Sequence, residues 1–202
     1  MNIENYFTEN KKRAIEKLRK AKIEKEVDIG ILHILNIINN SDNYYTSSSC
    51  SGRIVLLEIP DIGNKKEAKF LGKWHRKIKM DELISASKNA KKGQIWFLSQ
   101  SPIIHIISKT KIAADKILKV AISCGFKNSG MKSLGKKNVV EICSTERLDC
   151  PVGKDGNIFC NEKYLRLIVD ISNKIIEKSS KKLYKMEKKL WKNLSTEKSN
   201  GI

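Results

Sequence analysis

The chain has 202 residues, 40% of them hydrophobic, enough to bury roughly 70% of the extended-chain surface and so to exclude wholesale disorder. Forty Lys and Arg against 22 Asp and Glu leave a formal charge of +18. An excess of that sign favours polyanions, through phosphate contacts and counterion release, and nucleic acid is the expected partner class.

In chain order, residues 9–26 predict a basic helix with Ala14, Ile15, Leu18 and Ala21 on one face. Asp28 is placed to cap a second helix whose stripe is Ile31, Leu32, Leu35 and Ile38. "NNSDN" ends it, and "YYTSSSCSGRIVLLEIP" (44–60) then reads as strand, turn, strand. "IVLLEI" (54–59) is nearly continuous apolar, the pattern of a strand covered on both faces. A polar loop (60–69) precedes a strand (70–78), a helix (80–90) and a strand (94–101). A second set follows, as strand (102–109), helix (110–124) and strand (125–132), with further strands at 138–145 and 147–152. "GKDGN" (153–157) is a turn. A long helix runs from about 162 to 194, and from Lys178 to Lys192 it carries seven lysines against one Glu.

These elements predict an α+β fold, a two-layer arrangement with a mixed sheet, two strand–helix–strand units, N-terminal helices and a long C-terminal helix. Residues 1–178 are expected to form a single catalytic domain that includes a helical segment over about 1–40. Residues 179–202 are expected to form a basic arm that lies on RNA, packs on a partner or is solvated. The first residues lack an apolar core before their charges, and the longest apolar stretch, "IGILHILNII", is too short to span a bilayer. The chain therefore reads as cytoplasmic, with no membrane association.

No Gly-rich dinucleotide fingerprint, P-loop, nucleophile elbow or H-E-x-x-H is present. Five cysteines without a C-x-x-C pair and three scattered histidines give neither a disulfide framework nor a metal-ligand spacing, so no metal is expected. Attention falls on "SSSCSGR". Cys50 there is either a nucleophile with its thiol acidified by Arg53 or a small packed side chain. The hydroxyls of Ser49 and Ser51, the turn at Gly52 and the guanidinium of Arg53 suit a wall that holds phosphate or carboxylate, or a plain polar hairpin. Trp74 and His75 lie in "GKWHRK", where an aromatic among cations can stack a base or be buried in its strand. His105, in "PIIHIIS", is a satisfied core residue or the floor of a cleft. Glu146 and Arg147 read as a surface ion pair.

In order, "SSCSGRI", "KWH", "WF…SPIIHI", "GFKNSG", "VVEICSTERLDCPVG" and "YLRLIVDISN" resemble the tRNA wybutosine-synthesis methyltransferase family, in its stand-alone archaeal form. The resemblance runs from about residue 4 to about 178. It implies an S-adenosylmethionine-dependent enzyme that methylates N4 of the tricyclic guanosine at position 37, in the anticodon loop of phenylalanine tRNA. It also implies an α/β fold that is not the Rossmann methyltransferase. It carries over Ser49, Cys50, Ser51, Gly52 and Arg53 as the first motif, Trp74 and His75 as the second, and His105 within a strand. Methyl transfer to a ring nitrogen needs positioning and a proton acceptor, and His75 is the first choice for that acceptor. Trp74 or Trp96 would stack on the tricycle. The competing expectations are a non-catalytic tRNA-binding module and a thiol enzyme built on Cys50.

Overall fold

The computed structural model describes residues 3–64 and 66–199. Among them the elements are α1 (Ile3–Ile23), a 3-10 turn (Ile29–Ile31), α2 (Leu32–Asn39), β1 (Tyr44–Cys50), β2 (Arg53–Ile59), β3 (Lys69–Trp74), α3 (Met80–Ser87), β4 (Gln94–Gln100), β5 (Ile103–Ser108), α4 (Lys111–Ser123), β6 (Gly130–Ser133), β7 (Asn138–Cys143), β8 (Leu148–Lys154), β9 (Asn157–Ile158) and α5 (Glu162–Ser199). No helix among the described residues is long and apolar enough to cross a membrane. The chain divides into two compact units: residues 1–51, 102–145 and 180–202, and residues 52–101 and 146–179.

The first unit holds a four-stranded sheet in the order β1-β5-β7-β6. Strand periodicity sorts its side chains. Ile104 and Ile106 of β5 and Val140 and Ile142 of β7 enter one core with Leu35 and Ile38 of α2, Ala114 and Ile117 of α4, and Leu183, Met186 and Leu190 of α5. On a separate, smaller cluster Phe7 of α1 packs on Tyr45 and Ile107, its ring 5.2 Å from that of Tyr45. Thr110 caps α4, its side-chain oxygen accepting from the Ala113 N–H at 3.1 Å. The expected basic arm is thus amphipathic with a buried face: Leu183, Met186, Leu190 and Leu194 are all core residues.

The second unit holds a five-stranded sheet in the order β3-β2-β4-β8-β9. Ile54 and Leu56 of β2, Ile95 and Phe97 of β4 and Val152 of β8 pack with Leu83 and Ala86 of α3 and Leu165, Ile168 and Val169 of α5. Asn173 of α5 reads the backbone ahead of α3, accepting from the Ile78 N–H and donating to its carbonyl, both at 2.9 Å. Glu58 of β2 is 4% exposed and accepts from the backbone N–H groups of Lys91 and Lys92.

The α+β class stands, but the sheet differs from the sequence expectation. The strands divide between two sheets, and every pairing is antiparallel. The cause is the same in both. β3 and β4, joined by α3, flank β2. β5 and β6, joined by α4, flank β7. Each helix carries the chain over one intervening antiparallel strand, so the linked strands run parallel without touching, a split strand–helix–strand unit. Nor do β1 and β2 form a hairpin. β1 pairs with β5, and β2 with β3 and β4.

Candidate active site

The polar face of the first unit's sheet carries a hydrogen-bonded chain across neighbouring strands. Register places Ser48 of β1 opposite His105 of β5, and His105 opposite Glu141 of β7. A bulge in β1 between Thr46 and Ser48 sets that alignment. His105 Nδ1 lies 2.9 Å from Ser48 Oγ, and His105 Nε2 lies 2.9 Å from Glu141 Oε2. The other Glu141 oxygen meets Lys132 Nζ at 2.7 Å. Lys132 first, then His105, holds the Glu141 carboxyl below the usual carboxylate range, against the opposing effect of burial. An ionised Glu141 takes the Nε2 hydrogen, which leaves Nδ1 as an acceptor for the Ser48 hydroxyl. The pair is half-enclosed, with side chains 28% and 18% exposed, while Ser48 opens to solvent.

Ser48 also lines a cleft of about 700 Å³ in the same unit. Its apolar wall includes Ala14 and Leu18 of α1 with Ile107 and Val139 of the sheet. Ser47 and Ser49 add hydroxyls, Glu26 a carboxylate, and Arg13, Lys17 and Lys137 positive charge. The cleft is basic, and Ser48, which lines it, joins it to the histidine–carboxylate pair.

The structure splits the "SSSCSGR" motif. Ser49, Cys50 and Ser51 belong to the first unit, Gly52 and Arg53 to the second. Ser49 lines the basic cleft. Ser51 is committed to Asp28, whose carboxylate accepts from its N–H at 2.8 Å and its hydroxyl at 3.2 Å. Asp28 therefore makes no side-chain cap on the helical segment after it, which corrects the capping role that the sequence suggests. Gly52 has φ +93°, a conformation that side-chain-bearing residues rarely adopt. Cys50 is half-buried and forms no disulfide.

In the second unit, Arg53 donates from Nε to Gln100 Oε1 at 2.7 Å and lies 5.6 Å from the centroid of the Phe70 ring. Lys73 sits 5.7 Å from the same ring. Trp74 is half-buried against the core, and its indole covers Gly72 so closely that a Cβ there would fall 2.0 Å from the ring. Trp96 alternates with the core residues Ile95 and Phe97, so it faces away from that core. Its Nε1 donates to Gln94 Oε1 at 3.0 Å, and it lines a separate cleft of about 260 Å³. Trp74 and Trp96 thus occupy opposite faces of one sheet. His75 follows β3 and is exposed. Arg147 pairs with Asp149, which corrects the expected partner Glu146.

Sequence reasoning reached His105 and the serine cluster but missed Glu141, Lys132, Arg13, Lys17 and Lys137. The available signal was a lone Glu interrupting "VVEIC", matched by the lone His in "IIHII". Only the register between β5 and β7 joins the two.

Comparison with known proteins gives a consistent result. The family model Methyltransferase TYW3 matches residues 9–192. A Pyrococcus furiosus protein is 46% identical over 183 residues, covering 90% of this chain and 93% of the relative. A Pyrococcus horikoshii protein is 49% identical over 172 residues, covering 83% and 88%. Both are named tRNA(Phe) 7-((3-amino-3-carboxypropyl)-4-demethylwyosine(37)-N(4))-methyltransferase 1. The solved structure of the PH1069 protein from Pyrococcus horikoshii superposes with a TM-score of 0.89 at 45% identity, covering 94% of this chain and 98% of that one.

Proposed function

Because the chain belongs to the Methyltransferase TYW3 family, we propose that it transfers a methyl group from S-adenosylmethionine to N4 of a 4-demethylwyosine-type guanosine at position 37 of phenylalanine tRNA. The names of its relatives point further, to the nucleoside that already bears the 3-amino-3-carboxypropyl chain. The observation that carries the mechanism is the Ser48–His105–Glu141–Lys132 network, joined through Ser48 to a basic cleft.

The cofactor supplies, when bound, a methyl group on a sulfonium. The residues of the cleft fit such a ligand. Arg13 matches its carboxylate, the hydroxyls of Ser47 and Ser49 and the carboxylate of Glu26 match ribose hydroxyls, and the wall of Ala14, Leu18, Ile107 and Val139 matches an adenine face. Lys17 and Lys137 meet tRNA phosphate or the substrate's own carboxylate.

N4 must lose its proton as its new bond to carbon forms. Ser48 Oγ accepts that proton as its own passes to His105 Nδ1, and Glu141 stabilises the resulting imidazolium. Lys132 keeps Glu141 ionised for the task. Cys50 is not needed as a nucleophile, since the transfer is a direct displacement. His75 is the competing proton acceptor from the sequence, and the two histidines are separable by substitution. Arg53, whose Nε is held by Gln100 beside the Phe70 ring, is a further candidate to contact a carboxylate or phosphate.

The test is incubation of purified protein, S-adenosylmethionine and precursor tRNA, then mass spectrometry of nucleoside 37. Addition of one methyl at N4 is expected. An unmodified nucleoside beside demonstrable tRNA binding would leave a non-catalytic binding module.

A further inference from the structure

A second cleft of the first unit, about 640 Å³, is lined by His33, Asn36 and Asn40 of the α2 region and by Lys188 and Trp191 of α5. The network and basic cleft described above use none of these residues. Trp191 is 66% exposed, although it sits on a helix that buries Met186 and Leu190 almost completely. Tyr184, one heptad earlier, is 59% exposed. Lys188 lies between them, its Nζ 4.3 Å from the centroid of the Tyr184 ring. The spacing i, i+4, i+7 puts Tyr184, Lys188 and Trp191 on one stripe of the helix.

Cations also come from the opposite wall. Lys22 Nζ donates to Asn36 Oδ1 at 2.6 Å, and Lys11 donates to the carbonyl of Ser41, another lining residue. Among the described lining residues the acid is Glu187 of α5, whose Oε1 lies 3.6 Å from His33 Nδ1. A protein-docking surface is enriched in Trp but depleted in Lys. Exposed aromatics interleaved with lysines are instead the make-up of a single-stranded nucleic-acid platform, where every base offers a face to stack and cations track the backbone.

We propose that this cleft binds one unpaired nucleotide of the tRNA, away from the nucleotide that is methylated. Its base stacks on Trp191, its edge meets Asn40 and His33, and its flanking phosphates meet Lys188, Lys22 and Lys11. The inference rests on tRNA being the substrate, but it is tested without turnover.

Affinity for a phenylalanine tRNA transcript, measured by fluorescence anisotropy against salt, is the first readout. Trp191→Ala is expected to raise Kd about 5- to 150-fold, the range of one lost base–aromatic stack. Trp191→Phe should restore most of the affinity, and Lys188→Ala should flatten the log–log salt slope by about 0.7. Unchanged melting temperatures establish that the exposed substitutions leave the fold intact. The KM for tRNA should rise with Kd in Trp191→Ala. Trp191-dependent binding by a wild-type protein that transfers no methyl group would support this cleft while refuting the proposed reaction. Active enzyme whose tRNA affinity ignores Trp191→Ala would overturn the cleft and leave the reaction standing. Unchanged RNA affinity together with loss of a dimer in sedimentation would overturn it in favour of a second copy of the chain.

Discussion

Glu58 and Glu141 occupy equivalent places in two different sheets. Each interrupts an apolar run, "IVLLEI" or "NVVEIC". Each lies on the strand that splits a strand–helix–strand unit. Their surroundings differ. Glu58 is sealed by two backbone N–H groups, those of Lys91 and Lys92. Glu141 is paired with His105 and Lys132 on a partly open face. A carboxylate in an apolar strand is thus a structural plug where amides meet it, and a chemical group where a histidine does. Sequence pattern alone gives the two the same signature.

The sharpest way to break this comparison is to remove the histidine. His105→Ala is expected to lower single-turnover methyl transfer about 10²- to 10⁴-fold, the usual weight of a positioned acid–base group, with tRNA affinity kept. Glu141→Gln should follow, with a loss of about 10- to 150-fold, since a charge-assisted hydrogen bond worth roughly 1.5–3 kcal/mol is removed from the imidazolium. Glu58→Gln should behave in the opposite way. Urea unfolding is expected to show a loss of about 1–3 kcal/mol from imperfectly paired buried amides, with the methylation rate of folded protein unchanged. A Glu58 variant that is stable but inactive would erase the distinction.

Much of the fold is legible in the sequence because its elements are locally coded. β2, β4 and α4 follow apolar runs and a Thr110 cap. The long α5 follows its stripe from Leu165 to Leu190. The division into two sheets is not legible, because it depends on which strand each helix carries the chain over. That is why "YYTSSSCSGRIVLLEIP" reads as one hairpin yet feeds two sheets, and why Asp28 reads as a cap yet holds Ser51. His105 stands out as a lone polar residue, but its partners come from β1 and β7, 57 and 36 positions away. Trp74 and Trp96 look interchangeable until strand parity sends them to opposite faces.

Smaller effects sharpen the picture at its edges. Thr110→Ala should cost about 1 kcal/mol of stability, measured by thermal or urea unfolding, through loss of the α4 cap. Acid unfolding followed by circular dichroism should reveal the depressed carboxyls. Glu82, held by Arg76 and then the Lys79 backbone, titrates at about 2, and Glu141 is lowered by Lys132. A carboxyl with a depressed folded pKa contributes stability above its unfolded value, near 4.5, and loses it as pH falls through the folded value. Arg76→Ala should therefore unfold at a slightly higher pH than the parent, with the stability difference fully present above about pH 4.5 and fading as pH falls to about 2. Coincident acid curves would show that the ion pair contributes nothing.

The decisive measurement is single-turnover methyl transfer to nucleoside 37 of phenylalanine tRNA by His105→Ala and His75→Ala, side by side with the parent protein. A hundredfold or greater loss is expected in the first, about 10²- to 10⁴-fold, and a far smaller one in the second. Full activity in His105→Ala with collapse in His75→Ala would contradict the placement of the proton acceptor on the Ser48–His105–Glu141 network.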